Sequence, residues 1–365
     1  MRFVVNMSSV AAHPTGLGSY ATRICDHIVR HYACSVLAPP HLALPDGVER
    51  IAVPGAVAIG KKARSRFAHL LNLARRQAFY LKGPFRKDDF VYSPTHHGFF
   101  NTKNQIVTIH DLIGLHYPEN FPRQTRFFRS VMPRLIARSR AVFVVSEFTR
   151  REVLQFFDVD AGKVFVVPNT FDCRGVQVAR AEDKRDFLLV VGCHLPHKNI
   201  EAILDVAALW SDRYVLKIVG ATGYYGDRIR ARVRDLRLDD KVEFLPFVAE
   251  ADLDLLYRQA AALLYPSTIE GFGLPPLEAL ARGTLPIVSD IPVHREVLGE
   301  AAVFVTLGDD AAWASAFAAI GTQGAALAGS AARQDVLDRY SADTVGRQFD
   351  AALLSAVPDL RCLRR

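Results

Sequence analysis

Short apolar runs alternate with helix-period segments nearly from end to end, and no other feature constrains the fold of this chain as much. That alternation is the pattern of βαβ units building a parallel sheet. In the first half the strand-like runs are Phe3 to Asn6, Ser35 to Ala38, Phe90 to Ser93, Gln105 to Ile109, Ala141 to Val145 and Val164 to Val167. In the second half they are Phe187 to Val191, Val215 to Val219, Val242 to Leu245, Ala262 to Tyr265, Leu285 to Val288 and Ala302 to Val305. Each series is enough for a sheet of its own. No repeat of 20 to 50 residues is present.

A polar segment from Pro168 to Asp186, holding Asn169 and Gly175, separates the two series and reads as a linker. With 365 residues, half of them hydrophobic, two domains are expected. The boundaries read as residues 1–172, residues 173–340, and a final helix within 341–365, near Ser341 to Ala356, that packs back on the first domain. A helix is also expected from Asn199 to Trp210.

Charge divides the halves. Residues 1–172 carry 23 Lys and Arg against 12 Asp and Glu, whereas residues 173–365 carry 22 against 26. A basic first half points to an anionic partner or simply to solubility. Residues 61–87 hold nine Lys and Arg (from Lys61 to Lys87) and no acid, with Phe67, Leu70, Leu71, Ala74 and Ala78 at helical spacing. Either a basic amphipathic helix on an anionic membrane or acceptor, or a solvated surface helix, fits this stretch. Aromatic residues are not interleaved with the charges as nucleic-acid stacking requires, so no nucleic-acid partner is expected. Five cysteines, none at CxxC spacing, suggest neither a disulfide framework nor a zinc site and fit a reducing cytosol. The opening Arg2-Phe3-Val4-Val5 is strand-like, unlike a secretory signal. No apolar stretch approaches the ~20 residues that cross a bilayer, so a cytoplasmic protein, peripheral at most on the inner face of the membrane, is expected.

Five loops carry candidate chemistry. Thr15-Gly16-Leu17-Gly18 leads into a helix whose Leu17, Tyr20, Ile24 and Ile28 share a face, and glycines there let backbone amides approach an anion. Gly16-x-Gly18-x-x-Ala21 also satisfies a dinucleotide fingerprint. Against a nucleotide-dependent oxidoreductase stand the eight residues Met7 to Pro14 before the glycines and the next strand's end, Ala38-Pro39-Pro40, which lacks a ribose-binding acid. A glycine-rich turn without a ligand also stays open.

Glu270-Gly271-Phe272-Gly273-Leu274-Pro275-Pro276-Leu277-Glu278 follows a strand-like run directly. Pro275 and Pro276 suit a first helical turn and Gly283 its end. Exposed amides of Gly271 to Leu274 offer donors to an anion, while two carboxylates in one pocket better accept hydrogen bonds from hydroxyls. His110 follows a buried strand, where doubly wound sheets bind ligands, and His96-His97-Gly98 lie where they could line an acceptor. Lys198 follows Gly192 and a strand. Asp252-Leu253-Asp254 falls in a helix-like segment rather than a metal context, and no metal is expected.

Glu270 and Glu278, with seven residues between them, resemble the motif of retaining GT-B glycosyltransferases of family four, and bacterial mannosyltransferases in particular. The likeness runs along nearly the whole chain: Thr15 to Gly18, His110-Asp111-Leu112, Ser146-Glu147-Phe148, Val167-Pro168-Asn169, Val191-Gly192 with Pro196 to Asn199, Ser289 to Pro292 and Arg295-Glu296-Val297. The resemblance implies an α/β GT-B fold, two Rossmann-like domains facing across a cleft. It implies that Gly16, Gly18, Lys198 and Gly271 to Leu274 bind the donor diphosphate region, Glu270 the sugar hydroxyls, Glu278 the ribose and His110 the reacting sugar, with Lys198, Glu270 and His110 catalytic and no metal needed. Two departures stand out: His197 where many relatives have Arg, and Cys193 where some have a second phosphate-binding Arg.

The resemblance further implies transfer with retention from a nucleotide-sugar, GDP-mannose first and UDP-glucose or a dTDP-deoxysugar next, to an oligosaccharide or lipid-linked acceptor in bacterial surface polysaccharide synthesis. A non-catalytic nucleotide-sugar-binding module is the alternative class.

Overall fold

The computed structural model describes residues 1–11, 16–53, 78–86, 88–173 and 175–365. Two compact units emerge, Met1–Thr170 with Ala342–Arg365, and Phe171–Ser341.

In the first unit seven parallel strands lie in the order β3-β2-β1-β4-β5-β6-β7. These are β1 Phe3–Asn6, β2 Cys34–Ala38, β3 Glu49–Ala52, β4 Phe90–Ser93, β5 Gln105–Ile109, β6 Ala141–Val144 and β7 Val164–Val166. Every residue of β1, β4, β5 and β6 is buried, as strands covered on both faces must be. The sequence reading has no β3. Its side chains run from half-buried to exposed and include Glu49 and Arg50, so this edge strand lacks the apolar run that marks the others.

The second unit has six parallel strands in the order β10-β9-β8-β11-β12-β13. They are β8 Arg185–Val191, β9 Val215–Val219, β10 Val242–Leu245, β11 Ala260–Tyr265, β12 Leu285–Ser289 and β13 Val303–Val305. Both sheets are doubly wound, so each reverses direction of growth once, between β1 and β4 and between β8 and β11. Those reversals open a crevice at the strands' carboxyl ends. The loops after these four strands hold His96 and His97, Lys198, and Glu270.

The helix expected from Asn199 to Trp210 is broken. A 3₁₀ turn at Pro196–Lys198 ends on Asn199 at φ 52°, and a short helix, Glu201–Asp205, precedes a second 3₁₀ turn at Ala207–Leu209. Asparagine tolerates the left-handed region that such a break needs. Asp252 and Asp254 do lie on a helix, Glu250–Gln259, and Asp254 is taken up by Arg258 at 2.9 Å and Arg282 at 2.7 Å. Of the basic stretch, Lys61 to Gln77 and Lys87 lie outside the described residues. Ala78 is exposed, and Phe79 and Tyr80 pack against Phe99 at 5.5 and 5.3 Å between ring centroids.

The last helix, Ala342–Ala356, packs in the first unit beside the helix Gly16–His31. Phe349 sets its ring 5.1 Å from Tyr92 and 5.8 Å from Phe143. Asp350 is the polar anchor, accepting from Tyr32 at 3.0 Å and pairing with His27 at 2.9 Å and Arg364 at 3.0 Å. Burial alone would raise its pKa, but these partners outweigh burial and lower it. A Cβ on Gly346 would fall 2.6 Å from the His27 ring, so only glycine lets the helices approach this closely. Gly346→Val is therefore expected to cost about 2 kcal/mol by overpacking, and Asp350→Asn about 1 kcal/mol, both read as shifts in the guanidinium unfolding midpoint.

Candidate active site

In the second unit, two adjacent strands deliver the candidate residues to one place. After β8, Gly192 turns the chain at φ 83° into the 3₁₀ turn that ends on Lys198. After β11, the loop from Pro266 carries Glu270 and passes through Gly273, at φ 94°, into the helix Leu274–Ala281. The two loops are tied by Thr268 N–H donating to the His197 carbonyl at 2.8 Å and by Asn199 Nδ2 donating to the Pro266 carbonyl at 3.3 Å.

Lys198 and Glu270 meet across this junction. Lys198 Nζ donates to Glu270 Oε1 at 2.6 Å and to the Tyr265 hydroxyl at 2.7 Å. Glu270 is only 7% exposed. Burial pushes its pKa up, yet the charge and hydrogen bond of Lys198, with help from His197 and Ser267, bring it down to about 2. The carboxylate is therefore ionised and already oriented in the interior.

Further along the same loop, the amides of Phe272, Gly273 and Leu274 donate to no acceptor among the described residues. They stand at the amino end of a helix, where the dipole favours an anion. Glu278 does not share the lysine. It is half-buried on the same helix and accepts from the Tyr257 hydroxyl at 2.8 Å.

The two departures supply no further cation. Burial lowers the pKa of His197 to about 4 and raises that of the Cys193 thiol to about 12, so both are neutral near pH 7. Of Cys193, His197 and Lys198, only the lysine is charged.

His294 is a residue that the sequence reading passes over. It is 1% exposed, and its Nδ1 donates to the Ser289 carbonyl at 2.9 Å. Its Nε2 has no hydrogen-bond partner among the described residues and lies 3.7 Å from where a Cβ on Gly273 would sit. The only signal in the sequence is its position between Ser289 to Pro292 and Arg295, both parts of the family-like pattern.

In the first unit, Gly16 and Gly18 open the helix Gly16–His31, while Thr15 lies outside the described residues. Tyr20 of that helix meets His110 edge to face at 4.7 Å. His110 Nε2 lies 2.9 Å from the Pro94 carbonyl and must carry the proton to bond it, leaving Nδ1 as the acceptor. Burial lowers its pKa to about 4, so the ring is neutral near pH 7. His96 and His97 stack at 4.4 Å, and the His97 carbonyl accepts from Asn6 Nδ2 at 2.8 Å. Asn6, fully buried at the end of β1, also donates to Ser93, and so it couples the β1 and β4 loops.

Comparison with known proteins places the chain among glycosyltransferases. Residues 14–174 match the model of Glycosyltransferase Family 4, and residues 176–326 that of Glycosyl transferases group 1. Over 222 residues the chain is 38% identical to the O-antigen chain mannosyltransferase RfbU of Salmonella typhimurium, covering 61% of this chain and 62% of that protein. It is 23% identical over 231 residues to GDP-mannose:cellobiosyl-diphosphopolyprenol alpha-mannosyltransferase of Komagataeibacter xylinus, covering 62% of this chain and 54% of the other. The matches thus span less than two thirds of these relatives. Among solved structures, sucrose-phosphate synthase from Thermosynechococcus elongatus superposes with a TM-score of 0.74 at 17% identity, over 96% of this chain and 98% of the other, which shows a common fold. This chain has two parallel-sheet, Rossmann-like domains of the GT-B kind.

Breaking the lysine–glutamate pair leaves a buried charge without its partner, so Lys198→Ala is expected to cost about 3 kcal/mol. Without the lysine the Glu270 pKa rises above its unfolded value, so the variant gains stability on acidification from pH 7 to pH 5. The wild type does not gain, because its folded pKa is depressed: this carboxylate's contribution is present above the unfolded pKa of 4.5 and is lost as pH falls toward about 2. Thermal melts of both across this range, with Lys198→Met/Glu270→Gln as the neutral control, test the sign.

Proposed function

We propose, from the premise that the chain belongs to the group 1 glycosyl transferases and carries a Family 4 domain ahead of the group 1 domain, that it is a retaining mannosyltransferase of bacterial surface polysaccharide synthesis. The donor is GDP-mannose and the acceptor a lipid-linked saccharide. The observation that carries the reading is the buried Lys198–Glu270 pair, with three unengaged helix-start amides following in the same loop. The mannosyltransferase relatives support the sugar, and the Komagataeibacter enzyme, by its name, pairs GDP-mannose with an alpha product, as retention requires.

In this mechanism each group has one task. Lys198 and the amides of Phe272 to Leu274 neutralise the charge that grows on the departing diphosphate. Glu270, ionised and fixed, accepts hydrogen bonds from sugar hydroxyls, and Glu278 accepts from the ribose. Gly16 and Gly18 leave room for the phosphates at a second helix start. His110 is too weak a base to take a proton near pH 7. Its Nδ1 instead accepts from a sugar hydroxyl and orients the ring. With Glu270 committed to hydroxyls and lysine, it is not the nucleophile of a double displacement. The bond from the anomeric carbon to the diphosphate oxygen breaks as the acceptor oxygen attacks from the same face, and the diphosphate takes the acceptor's proton.

Among the described residues no helix is long and apolar enough to cross a membrane. A lipid-linked acceptor would then be met at the inner face of the cytoplasmic membrane by peripheral contact.

A thermal-shift panel of GDP, UDP, dTDP and NAD tests the donor. GDP alone is expected to raise the melting temperature, and the shift should shrink in Lys198→Ala. Turnover of GDP-mannose should fall about a hundredfold in that variant, the usual cost of losing one preorganised donor to a developing charge. A response to NAD alone overturns the reading, and donor binding with no transfer to any saccharide reduces the protein to a binding module.

A further inference from the structure

The first unit contains a cavity of about 900 Å³ that the donor site does not use. Its size suits a large organic ligand. One wall is the helix Pro122–Ser130 with Val131 and the following helix Met132–Arg138, which present Phe127, Val131 and Leu135; the other is formed by Tyr80, Leu81 and Phe100. His97 closes it between two rings, 5.9 Å from Phe127 and 6.1 Å from Tyr80. Leu81 is 56% exposed, so apolar surface continues to the mouth.

The charge on this wall has one sign. Arg123 and Arg126 both line the cavity and are exposed, and neither forms an ion pair among the described residues. The segment from Pro122 to Arg140 contains six arginines and no acid. Among the described residues no carboxylate or side-chain amide, the groups that usually bind sugar hydroxyls, lines the cavity. An apolar, ring-lined interior with unpaired guanidinium groups beside it fits a hydrocarbon chain that ends in phosphate. Arginine is the side chain best matched to phosphate oxygens.

We infer that this cavity holds the first part of the acceptor's lipid chain, with Arg123 and Arg126 on the diphosphate that joins lipid to saccharide. The inference rests on the proposed transfer to a lipid-linked acceptor and assigns the residues that would recognise it. Apolar burial retains the chain, while the two guanidinium groups hold the diphosphate at the mouth.

The experiment measures binding of farnesyl diphosphate to the full chain with GDP saturating, so that the donor site is occupied. Farnesyl diphosphate is expected to bind at least about tenfold more tightly than either farnesol or inorganic diphosphate, because only it offers both halves. Arg123→Ala/Arg126→Ala should weaken it about tenfold, and Ser130→Trp, which projects a ring from an exposed position into the cavity, should abolish it. The GDP thermal shift should be unchanged in every variant, which shows that each is folded. Equal binding in variants and wild type overturns the inference. So does inorganic diphosphate competing as well as farnesyl diphosphate, or anionic vesicles losing affinity in the arginine variant while Ser130→Trp leaves farnesyl diphosphate binding intact.

Transfer assays separate this inference from the one beneath it. Mannosyl transfer to a short-aglycone saccharide that is identical in wild type and variants, with loss confined to the lipid-diphosphate acceptor, supports both. Transfer to the short aglycone without any farnesyl diphosphate binding removes the cavity assignment and keeps the transferase. Farnesyl diphosphate binding that the variants lose, with no transfer to any acceptor, keeps the cavity and removes the transferase.

Discussion

A parallel strand cannot turn directly into its neighbour, so every connection must cross over the sheet and both faces become covered. Side chains in the middle of such a sheet are then committed to packing, and chemistry is left to the loops at the carboxyl ends. The reversal of strand order is where those loops part enough to admit a ligand. Both sheets here reverse once, and the loops after β4, β8 and β11 carry His96 and His97, Lys198, and Glu270.

Burial then decides which of these groups can carry charge. His110 and His197 are neutral because removal from water penalises the imidazolium, and Cys193 stays a thiol for the corresponding reason. Glu270 escapes that rule only because Lys198 is 2.6 Å away. Within the second unit the site therefore sets one cation, Lys198, against one anion, Glu270, beside the neutral Cys193 and His197, in a loop whose later amides are unengaged. That combination favours an anionic leaving group and a set of hydroxyls in the same small volume.

The sequence was informative where local pattern and tertiary demand coincide. Runs such as Phe3–Asn6, Phe90–Ser93 and Gln105–Ile109 are mostly apolar because they are buried throughout, and their limits could be read directly. The edge strand Glu49–Ala52 is half-wet and carries a charged pair, so it looks like a loop. The break at Asn199 was hidden because the residues that follow have helical spacing, and only the backbone at φ 52° reveals the turn. His294 was hidden for a different reason. A lone histidine in a helix says nothing until its unpartnered nitrogen is seen against the Gly273 loop.

By itself the sequence determined the class of fold, because alternation of apolar runs and helical periods admits few arrangements other than parallel sheets with crossovers. It also determined the chemical type of each motif: glycines where backbone must approach an anion, carboxylates beside a helix start, a lysine after a strand. Only the tertiary structure decided that Lys198 and Glu270, separated by 72 positions, share one hydrogen bond, while Glu278 turns instead to Tyr257. It likewise decided that His97 belongs to the wall of an aromatic cavity. Contacts of that kind depend on strand order, and strand order follows from how whole sheets bury their faces rather than from any run of neighbouring residues.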